Sequence, residues 1–207
     1  MATLPNSTYQ LEDSEVYMQT NSTESARSLR NLYFVRTVFQ VIWAAAVLST
    51  ARTQPHVASI LLIGYPLWDV ACTLYDLMAS RPTGSARTSQ VINALLGSAT
   101  ALLIALTVFS KPAYSIAIFG AWALGAGLLQ LVAGLIRRKQ LGGQWAMILS
   151  GAQSTAAGIA FVLGGVSGKL HTKDMGGYAI FGAIYFLIGG VLLRRKLSQG
   201  VAEPIQG

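Results

Sequence analysis

The chain has 207 residues, of which 53% are hydrophobic and only 11% are charged, with a formal net charge of +7. A soluble globular domain carries about 25% charged residues, so this composition argues against a soluble enzyme and favours a protein embedded in lipid. The single cysteine, Cys72, excludes an intramolecular disulfide framework and a zinc site built from several thiolates.

Residues 1–30 are polar and rich in Ser, Thr and Asn, and they contain half of the 8 acidic residues of the chain. A segment with so few apolar side chains cannot bury enough surface to fold by itself. We therefore expect a disordered tail over 1–30, located in the cytoplasm.

Six apolar segments follow and define a predicted membrane domain over 31–196. A helix needs about 20 apolar residues to cross a hydrocarbon layer of about 30 Å, and the last four segments contain no Asp, Glu, Lys, Arg or His. None of the segments alternates as a membrane β-strand does. The prediction is six transmembrane helices, followed by a short cytoplasmic tail at 197–207; the helices are expected at about 33–51, 57–79, 90–109, 114–136, 145–166 and 177–193.

The basic residues are distributed unequally between the two ends of these helices. Four lie on the side away from the termini: Arg52, Lys111, Lys169 and Lys173. Ten lie on the same side as the chain termini: Arg27, Arg30, Arg81, Arg87, Arg137, Arg138, Lys139, Arg194, Arg195 and Lys196. The positive-inside rule then predicts that both termini are cytoplasmic, in a multi-pass protein of the inner (plasma) membrane.

An internal repeat is indicated by basic residues that follow the even-numbered helices at nearly equal intervals, namely Arg81, Arg137 and Arg194. Each repeat is a two-helix hairpin that begins and ends on the same side, so its three copies share one orientation. The predicted fold is all-α: an integral membrane six-helix bundle of three parallel-repeated helical hairpins. This differs from the inverted repeats of many carriers.

Three stretches carry a resemblance to a known family. They are Phe119-Gly120-Ala121-Trp122 through Leu129-Gln130-Leu131, Arg137-Arg138-Lys139, and the run GQWAMILSG at 143–151. Together they resemble the HdeD-type short-repeat membrane proteins, over about 31–195. The resemblance implies a bacterial inner-membrane protein of six helices, in a family whose best-named member is linked to acid resistance. No catalytic or ligand residues are established for that family, so none is transferred.

Two acidic residues, Asp69 and Asp76, lie within a predicted membrane helix. A carboxylate near mid-helix costs about 2.5–3.5 kcal/mol on insertion scales, so each needs a physical reason. They are seven residues apart and therefore share one helix face, with Thr73 between them. Two interpretations stay open: a proton-accepting or cation-binding site, or structural pairing in which Asp76 binds Arg36 and Asp69 bonds Thr73 or a neighbouring helix.

Two histidines, His56 and His171, fall in connections on the outer side. Histidine gains charge as the external pH falls toward 5, so they are candidates for acid sensing, although ordinary loop histidines are the simpler interpretation.

Uncharged polar residues recur in the odd-numbered helices at Gln40, Asn93, Gln153, Ser154 and Thr155. They favour hydrogen bonds between helices, with a polar pore lining as the alternative. Small residues one turn apart predict close helix packing and permit a homo-oligomer; the pairs are Ala121 and Gly125, Ala123 and Gly127, Gly151 and Thr155, and Ser154 and Gly158.

The functional expectation is a non-enzymatic membrane protein without cofactor or metal, whose partner is the lipid bilayer and which binds no nucleic acid. A role in stress or acid resistance follows from the resemblance alone. The alternative is a small transporter or channel, for protons or a small solute, that uses Asp69 and Asp76.

Overall fold

A computed structural model describes the backbone over 7–141 and 145–200, with the side chains from residue 23 onward except 25, 137, 139–144, 146 and 200–207. Over this part of the chain it contains six α-helices and no strand: α1 Ser7–Thr50, α2 Pro55–Ser80, α3 Gly84–Thr107, α4 Pro112–Leu141, α5 Trp145–Val166 and α6 Asp174–Gly200. All six contain a stretch long and apolar enough to cross a membrane. The prediction of an all-α bundle of six membrane helices is confirmed.

The first helix is longer than predicted and corrects the expectation of a disordered tail over 1–30. α1 begins at Ser7, and residues 7–50 contain neither Gly nor Pro. A helix that is already nucleated extends at one hydrogen bond per added residue, so the membrane-spanning part continues into the polar segment. Residues 1–6 lie outside the described residues. At the other terminus α6 continues to Gly200, past the predicted boundary at 196, and 201–207 also lie outside the described residues.

The helices form a closed ring in chain order. Each helix packs against its neighbours in sequence, and α6 packs against α1. Since the connections are short, adjacent helices are antiparallel. We call the end near Arg27, Arg81, Arg138 and Arg194 the basic end, and the end with the α1–α2, α3–α4 and α5–α6 connections the opposite end.

An apolar core fills the half of the ring nearest the opposite end. Its fully buried members include Val47 of α1, Leu62 of α2, Ile104 of α3, Phe119 of α4 and Met175 of α6. Each of these lies in the part of its helix closest to the opposite end. The core therefore closes that half of the bundle, where the buried hydroxyl of Ser115 is hydrogen-bonded to Thr107, whereas Asp69 and Asp76 lie toward the basic half.

The closest helix contact joins α4 to α5 through glycines. A Cβ atom added to Gly127 would lie 2.6 Å from the Thr155 nitrogen and 2.9 Å from the Gly151 oxygen, and one added to Gly158 would strike the backbone of Leu124. Such positions let two backbones approach where lipid supplies no hydrophobic drive. The expected small-residue packing is confirmed at these three glycines, whereas Gly125 faces Leu96 of α3 instead.

Candidate functional site: a polar cavity in the basic half of the ring

A cavity of about 160 Å³ occupies the centre of the ring, and all six helices contribute to its wall. Its lining extends to Leu29, Ser85 and Ile136 near the basic end, so the cavity opens toward that end. The polar groups of the wall come from different helices, and examples are Gln40 (α1), Asp69 (α2), Asn93 (α3), Gln130 (α4) and Ser154 (α5).

An ion pair between α1 and α2 lies in the cavity wall. Arg36 Nη1 donates to Asp69 Oδ1 at 2.7 Å, and each side chain is only 15% exposed. The expected pairing of Arg36 with Asp76 is wrong. Arg36 lies fourteen residues before the end of α1 at Thr50, and Asp69 lies fourteen residues after the start of α2 at Pro55. The two residues are thus level in the hairpin, whereas Asp76 lies about 10 Å farther along the helix axis.

The second oxygen of the Asp69 carboxylate is held by α3. Asn93 Nδ2 donates to Asp69 Oδ2 at 2.8 Å and to Thr73 Oγ1 at 3.0 Å. The predicted contact of Asp69 with a neighbouring helix is confirmed, and Thr73 joins it through Asn93. Both oxygens of a carboxylate inside the membrane are thereby hydrogen-bonded, as a buried charge requires.

Asp76 lies on the same cavity wall, nearer the basic end. Its Oδ1 accepts from Ser80 Oγ at 2.7 Å and its Oδ2 from Gln90 Nε2 at 2.5 Å. Asp69, Thr73 and Asp76 all line the cavity, which confirms the prediction that they share one face of their helix.

The guanidinium of Arg36 lies among side chains of α2 and α6 at the cavity wall. Its Cζ atom lies 5.2 Å from the centre of the Phe186 ring, a cation–π contact. Its Nη1 donates to Asp69, and the Cys72 thiol lies close by. Because a guanidinium has five N–H groups and Arg36 lines the cavity, the hydrogen bond to Asp69 uses only part of its donor set.

Two buried residues of the cavity wall carry polar atoms without a partner. Gln40 Oε1 and Trp122 Nε1 have no hydrogen bond to any described residue, although their side chains are 7% and 3% exposed. A buried polar atom left unpaired costs about 1–3 kcal/mol. Both atoms are covered by neighbouring atoms, so each is an unpaired polar group buried within the wall.

An aromatic layer forms the part of the apolar core that borders the cavity. Tyr65 is at its centre, with ring centres 4.6 Å from Trp43, 5.6 Å from Phe119 and 5.9 Å from Trp122. The Tyr178 hydroxyl lies 2.5 Å from Ser154 Oγ and joins α6 to α5. Rings from several helices thus close the inner end of the cavity; the layer consists of Trp43, Tyr65, Phe119, Trp122, Phe161 and Tyr178.

The uncharged polar residues singled out in the sequence divide between the two interpretations. Gln40, Asn93, Gln153 and Ser154 line the cavity, which supports the pore-lining alternative, and Asn93 and Ser154 also bond neighbouring helices. Thr155 instead donates to the Gly151 carbonyl within α5 at 2.8 Å.

The two histidines are not part of this site. His56 lies in the first turn of α2, with its ring centre 5.9 Å from that of Phe109. His171 lies in the α5–α6 connection, where its backbone N–H donates to Asp174 Oδ2 at 2.8 Å. Both are at the opposite end, away from the cavity, and their acid-sensing role stays a prediction.

No family model, no curated protein and no solved structure matches the chain. The resemblance to HdeD-type proteins accordingly stays a prediction, and the function is inferred from the cavity.

Proposed function

We propose that this multi-pass membrane protein is a non-enzymatic carrier that binds a small polar solute in its central cavity and moves it across the membrane. The observation that carries the proposal is the cavity itself, which is lined by all six helices and contains Arg36 and Asp69. A helix bundle that served only as a packed scaffold would gain nothing from a polar cavity of this kind.

The energetics of the wall favour a binding role. Placing Arg36, Asp69 and Asp76 inside a membrane domain costs several kcal/mol, and intramembrane charges of this kind typically mark a solute or ion pathway. The unpaired atoms of Gln40 and Trp122 add to this cost. A polar solute that bonded the charged side chains in the wall would offset this cost.

The distribution of charge supports a location in the inner membrane with the basic end in the cytoplasm. Lys and Arg are concentrated at that end, and such a bias sets the orientation of membrane helices. In this orientation the cavity opens toward the cytoplasm, and the aromatic layer closes the path to the outside. The conformation is therefore inward-facing. Transport then requires that the residues of the aromatic layer and of the core move apart while the basic end closes.

The test is solute entry into liposomes that contain the purified protein. Stopped-flow light scattering would follow swelling in isotonic lactate, lactamide, glycine or glycerol, with protein-free liposomes giving the passive rate. We expect at least one solute to enter faster with the protein, and Gly182→Leu to abolish that difference. Gly182 lines the cavity against Gln40, so a leucine there fills the binding space.

Gly177→Leu on the same helix is the matched control, because Gly177 is exposed and a Cβ atom added there would have no neighbouring atom within 4 Å. It should transport as the unmodified protein does. Solute entry equal to that of protein-free liposomes for the whole panel, or equal rates for the two glycine variants, would contradict the proposal.

A further inference from the structure

We infer that the cavity takes a small organic carboxylate on Arg36 and that Asp69 takes up one proton as the carboxylate binds. This inference rests on the proposed function and deepens it, since it names the solute class and couples its binding to a proton. The juxtaposition that carries it is the Arg36–Asp69 ion pair in the wall of the central cavity.

Arg36 is suited to bind a carboxylate. The planar guanidinium presents parallel N–H donors that match the two oxygens of a carboxylate, and its Cζ atom lies 5.2 Å from the centre of the Phe186 ring. One donor is engaged by Asp69, and the others are on a residue that lines the cavity. A solute carboxylate therefore competes with Asp69 for the same cation.

The competition can be resolved in only one direction. Arginine stays charged at all physiological pH values, whereas a carboxylate can become neutral by binding a proton. A solute cation that took Asp69 would leave the buried charge of Arg36 unpaired, which costs several kcal/mol. When a solute anion binds Arg36, the carboxylate of Asp69 loses its cation, and a proton neutralises that carboxylate.

The exchange balances in charge and in bonds. The ion pair between Arg36 and Asp69 breaks, an ion pair between Arg36 and the solute carboxylate forms, and a proton from the solution at the basic end bonds to a carboxylate oxygen of Asp69. The net charge of the cavity is unchanged. The new O–H of Asp69 finds an acceptor when the amide of Asn93, now donating at 2.8 Å, turns its oxygen toward it.

The rest of the cavity limits the solute in size and polarity. A closed cavity of about 150 Å³ holds a molecule of the size of benzene, so 160 Å³ suits a solute of about six non-hydrogen atoms. The side chains of Gln130 and Gln153 line the same cavity and can bond a hydroxyl group of such a solute. Lactate, a hydroxy acid of this size, is therefore the probe.

One other carboxylate lies in the cavity wall, namely that of Asp76. On α3, α4 and α5 the described side chains that line the cavity are uncharged. The charged and titratable groups around Asp69 are Arg36 and Tyr33 on α1, Cys72, Tyr65 and Asp76 on α2, and Tyr178 on α6. Because Asp76 shares the cavity wall with Asp69, the matched control for Asp69→Asn is Asp174→Asn, at the opposite end and outside the cavity lining.

The experiment measures lactate binding to the full-length protein in detergent by titration calorimetry between pH 6 and 8. Proton uptake is obtained from the heats in buffers of different ionisation enthalpy. We expect one proton bound per lactate, and an apparent affinity that falls about tenfold for each pH unit while Asp69 is ionised. Asp69→Asn should bind lactate without proton uptake and with an affinity independent of pH, while the control Asp174→Asn should keep the proton uptake and the pH dependence of the unmodified protein.

Arg36→Gln should abolish lactate binding. Because that change leaves Asp69 buried without its cation, the double variant Arg36→Gln with Asp69→Asn, which removes both charges, serves as the folded reference and should bind neither lactate nor a proton. Lactate binding to the double variant would overturn the inference.

The inference and the proposed function fail in different ways. Lactamide or ethanolammonium binding in place of lactate, or lactate binding without proton uptake, would overturn the inference while the cavity kept its role as a solute site. Loss of binding in Asp69→Asn would likewise overturn it. If none of the probes bound and no solute entered liposomes, both proposals would be wrong.

Discussion

Arg36 of α1 and Asp69 of α2 meet at 2.7 Å inside the bundle, at the same height in their hairpin. A buried ion pair adds little net stability, because both charges lose their hydration when they enter the protein. Removing one partner is far more costly than removing both, since the remaining charge stays buried without compensation. The contribution of the ion pair to the stability of the protein is therefore tested by comparing single and double variants.

Arg36→Gln should lower the free energy of unfolding by about 3–5 kcal/mol, and the double variant Arg36→Gln with Asp69→Asn should recover most of this loss. Unfolding in mixed micelles by titration with dodecyl sulfate measures both. Arg87→Gln is the control, because Arg87 is exposed at the basic end. If Arg36→Gln and Arg87→Gln had the same effect, the pair would have no structural role.

A second prediction concerns the stability contributed by the glycines at the α4–α5 contact. Gly158→Ala should destabilise the protein by about 1–3 kcal/mol, since the added methyl group meets the backbone of Leu124 and Gly120, which cannot move aside. Gly64→Ala is the matched control: Gly64 is also inside a helix, but a Cβ atom there would have no neighbour within 4 Å. Thermal unfolding in detergent measures both variants, and equal midpoints would argue against close α4–α5 packing.

The six helices were predictable because apolar length alone distinguishes a membrane helix from other structure. The shared face of Asp69 and Asp76 was predictable for a similar reason, since the helical period fixes which residues lie on one side. The start of α1 was not predictable in this way, because residues 7–30 are polar. Whether such a segment continues a helix depends on the membrane span that follows it.

The partner of Arg36 was harder to choose from the sequence, because it depends on the register of the hairpin. That register follows from the turn between Thr50 and Pro55, and the predicted helix ends at 51 and 57 differ from it by only one or two residues. The stronger source of error is depth, because pairing Arg36 with Asp76 puts Arg36 near the cytoplasmic edge, whereas the structure has it level with Asp69. Counting residues from the turn would have paired it with Asp69.

The cavity itself was beyond sequence patterns, because it is formed by six helices at once. Gln40, Asn93, Gln153 and Ser154 each suit an interhelical hydrogen bond as well as a polar lining. Only the closed order of the ring brings them to one space. The unpaired atoms of Gln40 and Trp122 likewise depend on packing that no single segment determines.

A third prediction concerns the aromatic layer as the barrier to solute leakage. Phe119 is fully buried between Tyr65 and Phe161, so Phe119→Ala should cost about 3–5 kcal/mol of stability and open a gap between the cavity and the opposite half. Liposomes containing this variant should leak lactate several times faster than those with the unmodified protein. Phe181→Ala on the lipid-facing side of α6, where Phe181 is 55% exposed, should not leak. Equal leakage from both variants would mean that the layer is not the barrier.

The central claim, that a water-accessible cavity opens at the basic end, is tested most directly by cysteine labelling in a Cys72→Ala background. Ala126 lines the cavity, whereas Ala123, one helical turn away on α4, is fully buried in the core. In sealed vesicles of known orientation, a membrane-impermeant thiol reagent should modify Ala126→Cys from the side of the basic end only and should leave Ala123→Cys unmodified. Modification of Ala126→Cys from the opposite side, or of neither variant until the protein is unfolded, would contradict the claim.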